Sequence, residues 1–279
     1  AGGRLDVTFE SRANATEWLL VVNHRHVNDP WSIRIDGVEI GELRRVEERR
    51  DFHYVVPPGA IARDGEHVLS FVGSKPTDDI TIGNVRLIER SFRELFDLRP
   101  VRVEVVDAAS GARMPARVTV TDAGGEKVEV YYAETRRTAV RKGVVYVMDE
   151  PAALELPPGE YRFHATRGTE WGHAVEPVVV PARAASPAPD GGETVVRLAL
   201  RREVDTTGWI AADTHIHTLE HSGHGDASEA ERLVTLAGEG VELAIATDHN
   251  HNIDYRPLQR ELELTQWFTP VVGNEVTTP

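Results

Sequence analysis

Trp209-Ile-Ala-Ala-Asp-Thr-His-Ile-His217 is a short apolar run that ends in two histidines one residue apart. On an extended strand, residues i and i+2 point to the same side, so His215 and His217 aim both imidazoles at one place. Neutral imidazole is the commonest side-chain ligand for transition metals. Two similar stretches follow. Leu243-Ala-Ile-Ala-Thr-Asp-His249 is an apolar run ending in a histidine, and Phe268-Thr-Pro-Val-Val-Gly-Asn-Glu275 ends in a carboxylate.

The segments between these runs read as helices. Ser228 and Glu231 form a capping box, Leu233, Leu236 and Ala237 give an apolar face, and Gly238 and Gly240 end the pattern. Asp254 precedes a second helix around residues 257–264, with Pro257 in its first turn. Strands alternating with helices predict parallel βαβ units. Chemistry in such sheets sits at the carboxyl ends of the strands, where all these ligand-type residues fall. Six of the 12 histidines lie between 215 and 251. Each alone reads as a structural histidine. Together they predict a metal site.

Asp213-Thr-His-Ile-His-Thr218, Thr247-Asp-His249 and Gly273-Asn-Glu275 resemble the first three motifs of the PHP (polymerase and histidinol phosphatase) metallohydrolases. Ser222-Gly-His-Gly-Asp226 and Ala246-Thr-Asp-His-Asn-His-Asn252 look like the branch that includes carbaryl hydrolases. The resemblance implies a distorted (β/α)7 barrel with two or three divalent ions (Zn, Mn or Fe). It makes His215 and His217 ligands of one metal, His249 a ligand of a neighbour and Glu275 a bridge. Family members place a further ligand soon after the His-x-His, and both His224 and Asp226 qualify. Asp213 and Asp248 would orient imidazoles from behind. His251 and Arg256 are candidates for substrate contact, and His221 reads as a solvated loop residue.

The implied chemistry is hydrolysis of a small-molecule phosphoester, or of an ester or carbamate, by hydroxide on the metal. No Gly-rich phosphate cradle is present. An amidohydrolase also opens with His-x-His but lacks the other two motifs. The non-enzymatic alternative is a pair of glycan- or protein-binding β modules with a degenerate remnant. The family pattern continues with a further His and an Asp-x-His, and a barrel needs about 250 residues. From Trp209 to Pro279 there are 71. The expectation is therefore the N-terminal part of a longer enzyme, with an exposed sheet edge.

Residues 1–97 read as a β-sandwich. Leu5-Asp-Val-Thr-Phe9, Trp18-Leu-Leu-Val-Val22, Trp31-Ser-Ile-Arg-Ile35 and His67-Val-Leu-Ser-Phe-Val72 are short β-rich runs separated by turn signals. The pattern loosely resembles jelly-roll carbohydrate-binding modules. A second His-x-His, His24-Arg-His26, has no companion motifs and reads as ordinary strand-end histidines. Residues 98–202 read as another β module. Leu154-Glu-Leu-Pro-Pro-Gly-Glu-Tyr161 resembles a phrase of the transthyretin-like regulatory domain of some carboxypeptidases. Pro181 to Gly192 is a Pro/Ala/Gly-rich loop, and residues 201–208 read as a linker to the 209–279 segment.

The 279 residues are 41% hydrophobic and carry a net charge of −14. Glu203 to Pro279 holds 14 acidic and 3 basic residues, while the first 202 hold 31 and 28. An acidic segment repels phosphate backbones, which argues against nucleic acid. No run approaches the roughly 18 apolar residues of a membrane span. Cysteine is absent, which excludes disulfides and thiolate ligands. The β modules lean toward an exported protein.

Overall fold

In the computed structural model, residues 3–46, 49–75, 78, 80–133, 135–182 and 192–278 are described. Most of the Pro181–Gly192 loop read from the sequence lies outside them. Two compact units are present, Ala1–Asp97 and Leu98–Pro279.

The first unit contains β1 (Arg4–Ser11), β2 (Trp18–Arg25), β3 (Trp31–Ile35), β4 (Val38–Glu42), β5 (Arg50–Val56), β6 (Gly65–Gly73), β7 (Thr81–Ile88) and the short helix α1 (Phe92–Phe96). They form two sheets, β1-β6-β3-β4 and β5-β2-β7. Trp18, Leu20 and Val22 from one sheet share a core with Ile33, Ile35, Leu69 and Phe71 from the other. The alternation predicted for β3 is seen directly, with Trp31, Ile33 and Ile35 buried and Ser32 and Arg34 partly exposed. His24 is buried beside Tyr54 with Nε2 2.7 Å from the hydroxyl, a packing role.

The second unit opens with β8 (Arg99–Asp107), β9 (Ala116–Asp122), β10 (Tyr131–Tyr132), β11 (Ala139–Arg141), β12 (Val144–Val147), β13 (Ala152–Leu156), β14 (Gly159–Thr166), β15 (Ala174–Val180) and β16 (Thr194–Leu200). These make a four-stranded sheet, β10-β13-β8-β16, and a five-stranded sheet, β11-β12-β9-β14-β15. Inward residues of both, among them Val103, Val118, Val145, Phe163 and Leu198, share one core. Residues 201–208, expected to be a linker, are tied down. Arg202 bridges to Trp171 and pairs with Glu170 at 2.7 Å.

The chain then gives β17 (Ala212–Ile216), α2 (Leu219–Ser222), α3 (Glu229–Gly238), β18 (Leu243–Ala246), α4 (Arg256–Glu261) and β19 (Thr269–Val272). The expected barrel segment is corrected here. Of the described residues, 47% are in strands and 10% in helices, and the third segment is a three-stranded parallel sheet, β17-β18-β19. The reason lies in what the helices cover. In a barrel, helices form an outer ring around their own strands. Here α3 lies between the parallel sheet and the five-stranded sheet, in contact with β9, β11 and β12. Leu233, Val234, Leu236 and Ala237 pack with Ala244 and Ala246 on one side and with Ala139 and Met148 on the other. Burying Leu233 fully contributes about 1.5–3 kcal/mol. Arg167 joins the same interface by donating to the carbonyls of Pro115 and Ala237. Among the described residues, no helix is long and apolar enough to cross a membrane.

Candidate metal centre

Parallel pairing brings the carboxyl ends of β17, β18 and β19 side by side. The ladder extends past the strands through a bridge between His249 and Glu275. Gly273 is needed for this approach, because a Cβ there would lie 2.4 Å from the Ala246 carbonyl oxygen. Gly223 caps α2 in the left-handed conformation (φ 70°) and leads the chain into His224.

Five side chains converge. His215 Nε2 lies 2.8 Å from His217 Nε2 and 2.9 Å from Glu275 Oε2, and His217 Nε2 is 3.1 Å from the same oxygen. His224 Nε2 and His249 Nε2 are 2.8 Å apart. Two overlapping groups result, His215–His217–Glu275 and His217–His224–His249, and within each the donor atoms lie within 4.8 Å of one another. The donors belong to the class that binds Zn and its neighbours.

In His217 and His249 the other ring nitrogen is occupied. His217 Nδ1 is 2.9 Å from Ser222 Oγ, and His249 Nδ1 is 2.8 Å from Thr277 Oγ1. Ser222 in turn donates to the fully buried carboxylate of Asp248 at 2.7 Å, so its oxygen accepts from His217 Nδ1–H. That fixes the tautomer and leaves the Nε2 lone pair facing the cluster. Because Nδ1 is taken, His217 can serve one cation at a time. A cation on His215, His217 and Glu275 leaves His224 and His249 for a neighbour.

Electrostatics favour the donor forms. Burial first, then repulsion from His249, His215 and His224, holds His217 below the ordinary imidazole range despite the pull of Glu275. Desolvation works against the charge on Glu275. The hydrogen bond from His215 and the surrounding imidazoles outweigh it, and the carboxyl sits below the usual glutamate range.

The remaining sequence candidates lie elsewhere. Asp226 does not join the cluster: Arg141 Nε holds its carboxylate at 2.8 Å, and the Arg141 guanidinium also takes its backbone carbonyl. Asp213 accepts from the His215 backbone amide at 3.1 Å and, among the described residues, orients no imidazole. Asp248 does act from behind, through Ser222. It also accepts from the Thr218 amide at 2.7 Å and from the Tyr255 hydroxyl at 3.4 Å. Arg256 is paired with Asp254 at 2.7 Å. His251 lies beside the His221 ring, with centroids 6.5 Å apart, and His221 faces Glu229 at 3.3 Å. Ser222, Thr218, Tyr255 and Thr277 were not identifiable beforehand, since lone hydroxyls carry no spacing signal.

No protein-family model and no curated protein sequence matches this chain. Among solved structures, similarity is found to a group B streptococcus pilus 2b backbone protein. The TM-score is 0.25 at 11% identity, covering 71% of this chain and 92% of that one. BcpA, the major pilin subunit of Bacillus cereus, gives 0.24 at 11% identity, covering 71% of each chain. A β-D-glucuronidase from Dictyoglomus thermophilum gives 0.21 at 8% identity, covering 99% of this chain and 51% of that one, so this chain spans about half its length. At these scores none of them bears on what this chain does.

Proposed function

We propose that His215, His217, His224, His249 and Glu275 form a divalent-cation centre, and that the centre serves a hydrolase acting on small phosphoesters or on esters and carbamates. One observation carries the reading. Four imidazoles and a carboxylate meet at the ends of three adjacent strands, with the Nδ1 atoms of His217 and His249 against hydroxyls and their Nε2 atoms facing the cluster. The order of the three motifs, similar to that of the PHP metallohydrolases, supports hydrolysis over simple ion storage. A cation bound there would polarise the scissile group and bring the pKa of water toward neutrality. The chain's own residues fix the His217 tautomer and hold Glu275 ionised at neutral pH. An exported location belongs to the same proposal and rests on the β modules.

The test is calorimetric titration of the metal-free chain with Zn²⁺ and Mn²⁺, together with turnover of p-nitrophenyl phosphate and p-nitrophenyl acetate. Stoichiometric binding that disappears in the His215→Ala/His217→Ala variant, with turnover lost alongside it, is expected. Absence of stoichiometric binding removes the centre. Binding with turnover unaffected by the double variant removes the hydrolase.

A further inference from the structure

The outward face of the five-stranded sheet is only partly covered. α3 lies over β11, β12 and β9. Beside it, over β9 and β14, is an open cavity of about 430 Å³ lined by Arg117, Thr119, Thr121, Arg162, His164 and His173. Strand alternation produces this lining. Arg117, Thr119 and Thr121 alternate on β9 with the core residues Ala116, Val118 and Val120, and Arg162 and His164 alternate on β14 with Tyr161, Phe163 and Ala165. Antiparallel register sets Arg162 opposite Thr121 and His164 opposite Thr119.

The chemistry of the patch runs against that of the chain. The protein carries a net charge of −14, yet two guanidiniums, two imidazoles and the threonine hydroxyls line this cavity without a carboxylate. The nearest acidic partner is Glu239 on α3, 3.7 Å from Arg117. The buried Nε of Arg117 has no acceptor among the described residues, and Arg162 has no carboxylate partner among them. His164 Nδ1 and His173 Nε2 are 3.2 Å apart with the rings stacked at 10°, and Thr121 Oγ1 is 3.5 Å from His164 Nε2. Burial, then His173 and Arg162, depress the basicity of His164. Arg117 has Glu239 as a counter-charge, and the Arg162 guanidinium is left uncompensated among the described residues. A metal ion between the two imidazoles would be repelled by the guanidiniums. An oxyanion would be attracted to them and would find donors on both strands. Beyond β14, outside the lining, Val175 stands opposite His164 in register and is 46% exposed, an apolar surface beside the cavity. The volume falls within the range of small-molecule sites.

We propose that this cavity binds a small organic oxyanion, a carboxylate or phosphate ester. Arg162 and Arg117 grip the charged group, and the ligand body lies toward Val175. The site shares no residue with the metal centre, so each can fail without the other.

The experiment follows the imidazole resonances of His164 and His173 by NMR in the whole chain, titrated to millimolar levels with inorganic phosphate or with benzoate. Saturable shifts with either probe support the site. Phosphate alone points to a phosphoryl ligand, and benzoate alone to a carboxylate on an apolar body. Arg162→Gln, at an exposed position where folding is preserved, should weaken binding about tenfold, as loss of one charge-assisted contact does. Arg162→Lys should recover part of it, and His217→Ala should leave it unchanged. Three results would overturn the proposal: no shift with either probe, equal binding by Arg162→Gln, or preferential capture of Zn²⁺ by His164 and His173.

Discussion

Ser222 Oγ stands 2.9 Å from Nδ1 of His217, and this contact joins a site imidazole to the buried Asp248 carboxylate 2.7 Å further on. The serine accepts from the ring and donates to the acid, so the Nε2 of His217 keeps its lone pair for a cation. Removing such a partner typically costs about 10–100-fold in metal affinity. Ser222→Ala should therefore weaken Zn²⁺ binding by about that factor while Asp248 keeps its Thr218 and Tyr255 donors. Unchanged affinity in the alanine variant, measured by competition with a chromophoric chelator, would show that the serine does not position the ligand.

Asp226 and His224 separate cleanly. His224 faces His249 across 2.8 Å, whereas Asp226 is held by Arg141. Arg141 lowers the Asp226 carboxyl below the aspartate range, and burial partly opposes it. His224→Ala should reduce metal affinity. Asp226→Asn should leave it untouched and lower stability by no more than about 1 kcal/mol, the scale of an exposed ion pair. Metal loss in Asp226→Asn alone would return the aspartate to the ligand set.

His215, His217, His249 and Glu275 were visible in the sequence because they lie at or just past strand ends, and strand periodicity is local information; His224, in the loop after α2, came only from the family resemblance, with Asp226 as its alternative. Asp226 was misplaced for the opposite reason: its partner Arg141 lies 85 residues away, at a distance no spacing rule reaches. The same limit explains the barrel. The apolar face of α3, with Leu233, Leu236 and Ala237, reads identically whether it covers its own sheet or another. What decides its place is non-local. Tyr146 donates to Glu239 at 2.7 Å, and a Cβ on Gly238 would come within 2.4 Å of the Tyr146 ring. Strands such as Trp31–Ile35 were legible because alternating burial is written residue by residue.

His24 gives the first unit an acid-sensitive core position. Burial, with Arg50 adding to it, pushes its pKa down to about 4 from 6.5. The Tyr54 hydroxyl accepts from the Arg44 amide at 3.0 Å and shares a hydrogen bond with His24 Nε2 at 2.7 Å. The unfolded chain protonates the ring below pH 6.5 and the folded one only near pH 4. Stability from this group is thus complete above pH 6.5 and falls as pH drops toward 4, by about 3 kcal/mol in all. Hydrogen exchange of the β2 amides should lose protection across that window. His24→Phe, which keeps the stack on Phe52 at 4.4 Å, should flatten the dependence. An unchanged slope in that variant would assign it to another group.

Arg167 ties α3 to the start of β9. It is 7% exposed, donates through Nη1 to the Pro115 carbonyl at 2.6 Å and to that of Ala237, and lies 5.2 Å over the Trp267 ring. The Ala237 carbonyl belongs to the last turn of α3, where backbone acceptors have no helical partner and a cation is favoured. The next residue, Gly168, has φ 55°, and a Cβ there would meet the Glu239 carbonyl oxygen at 2.5 Å, so the backbones themselves are in contact. Arg167→Met would fill similar volume but leave two buried carbonyls without this donor. The Ala237 carbonyl keeps the Gly240 amide at 3.3 Å, so the expected cost is about 1–3 kcal/mol, that of one orphaned acceptor at Pro115. Urea unfolding followed through Trp267 fluorescence measures it, and amides in the last turn of α3 should exchange faster. A loss below about 0.5 kcal/mol, the range of ordinary surface changes, would show that water replaces the guanidinium and that the apolar contacts of Leu233, Leu236 and Ala237 alone hold the helix in place.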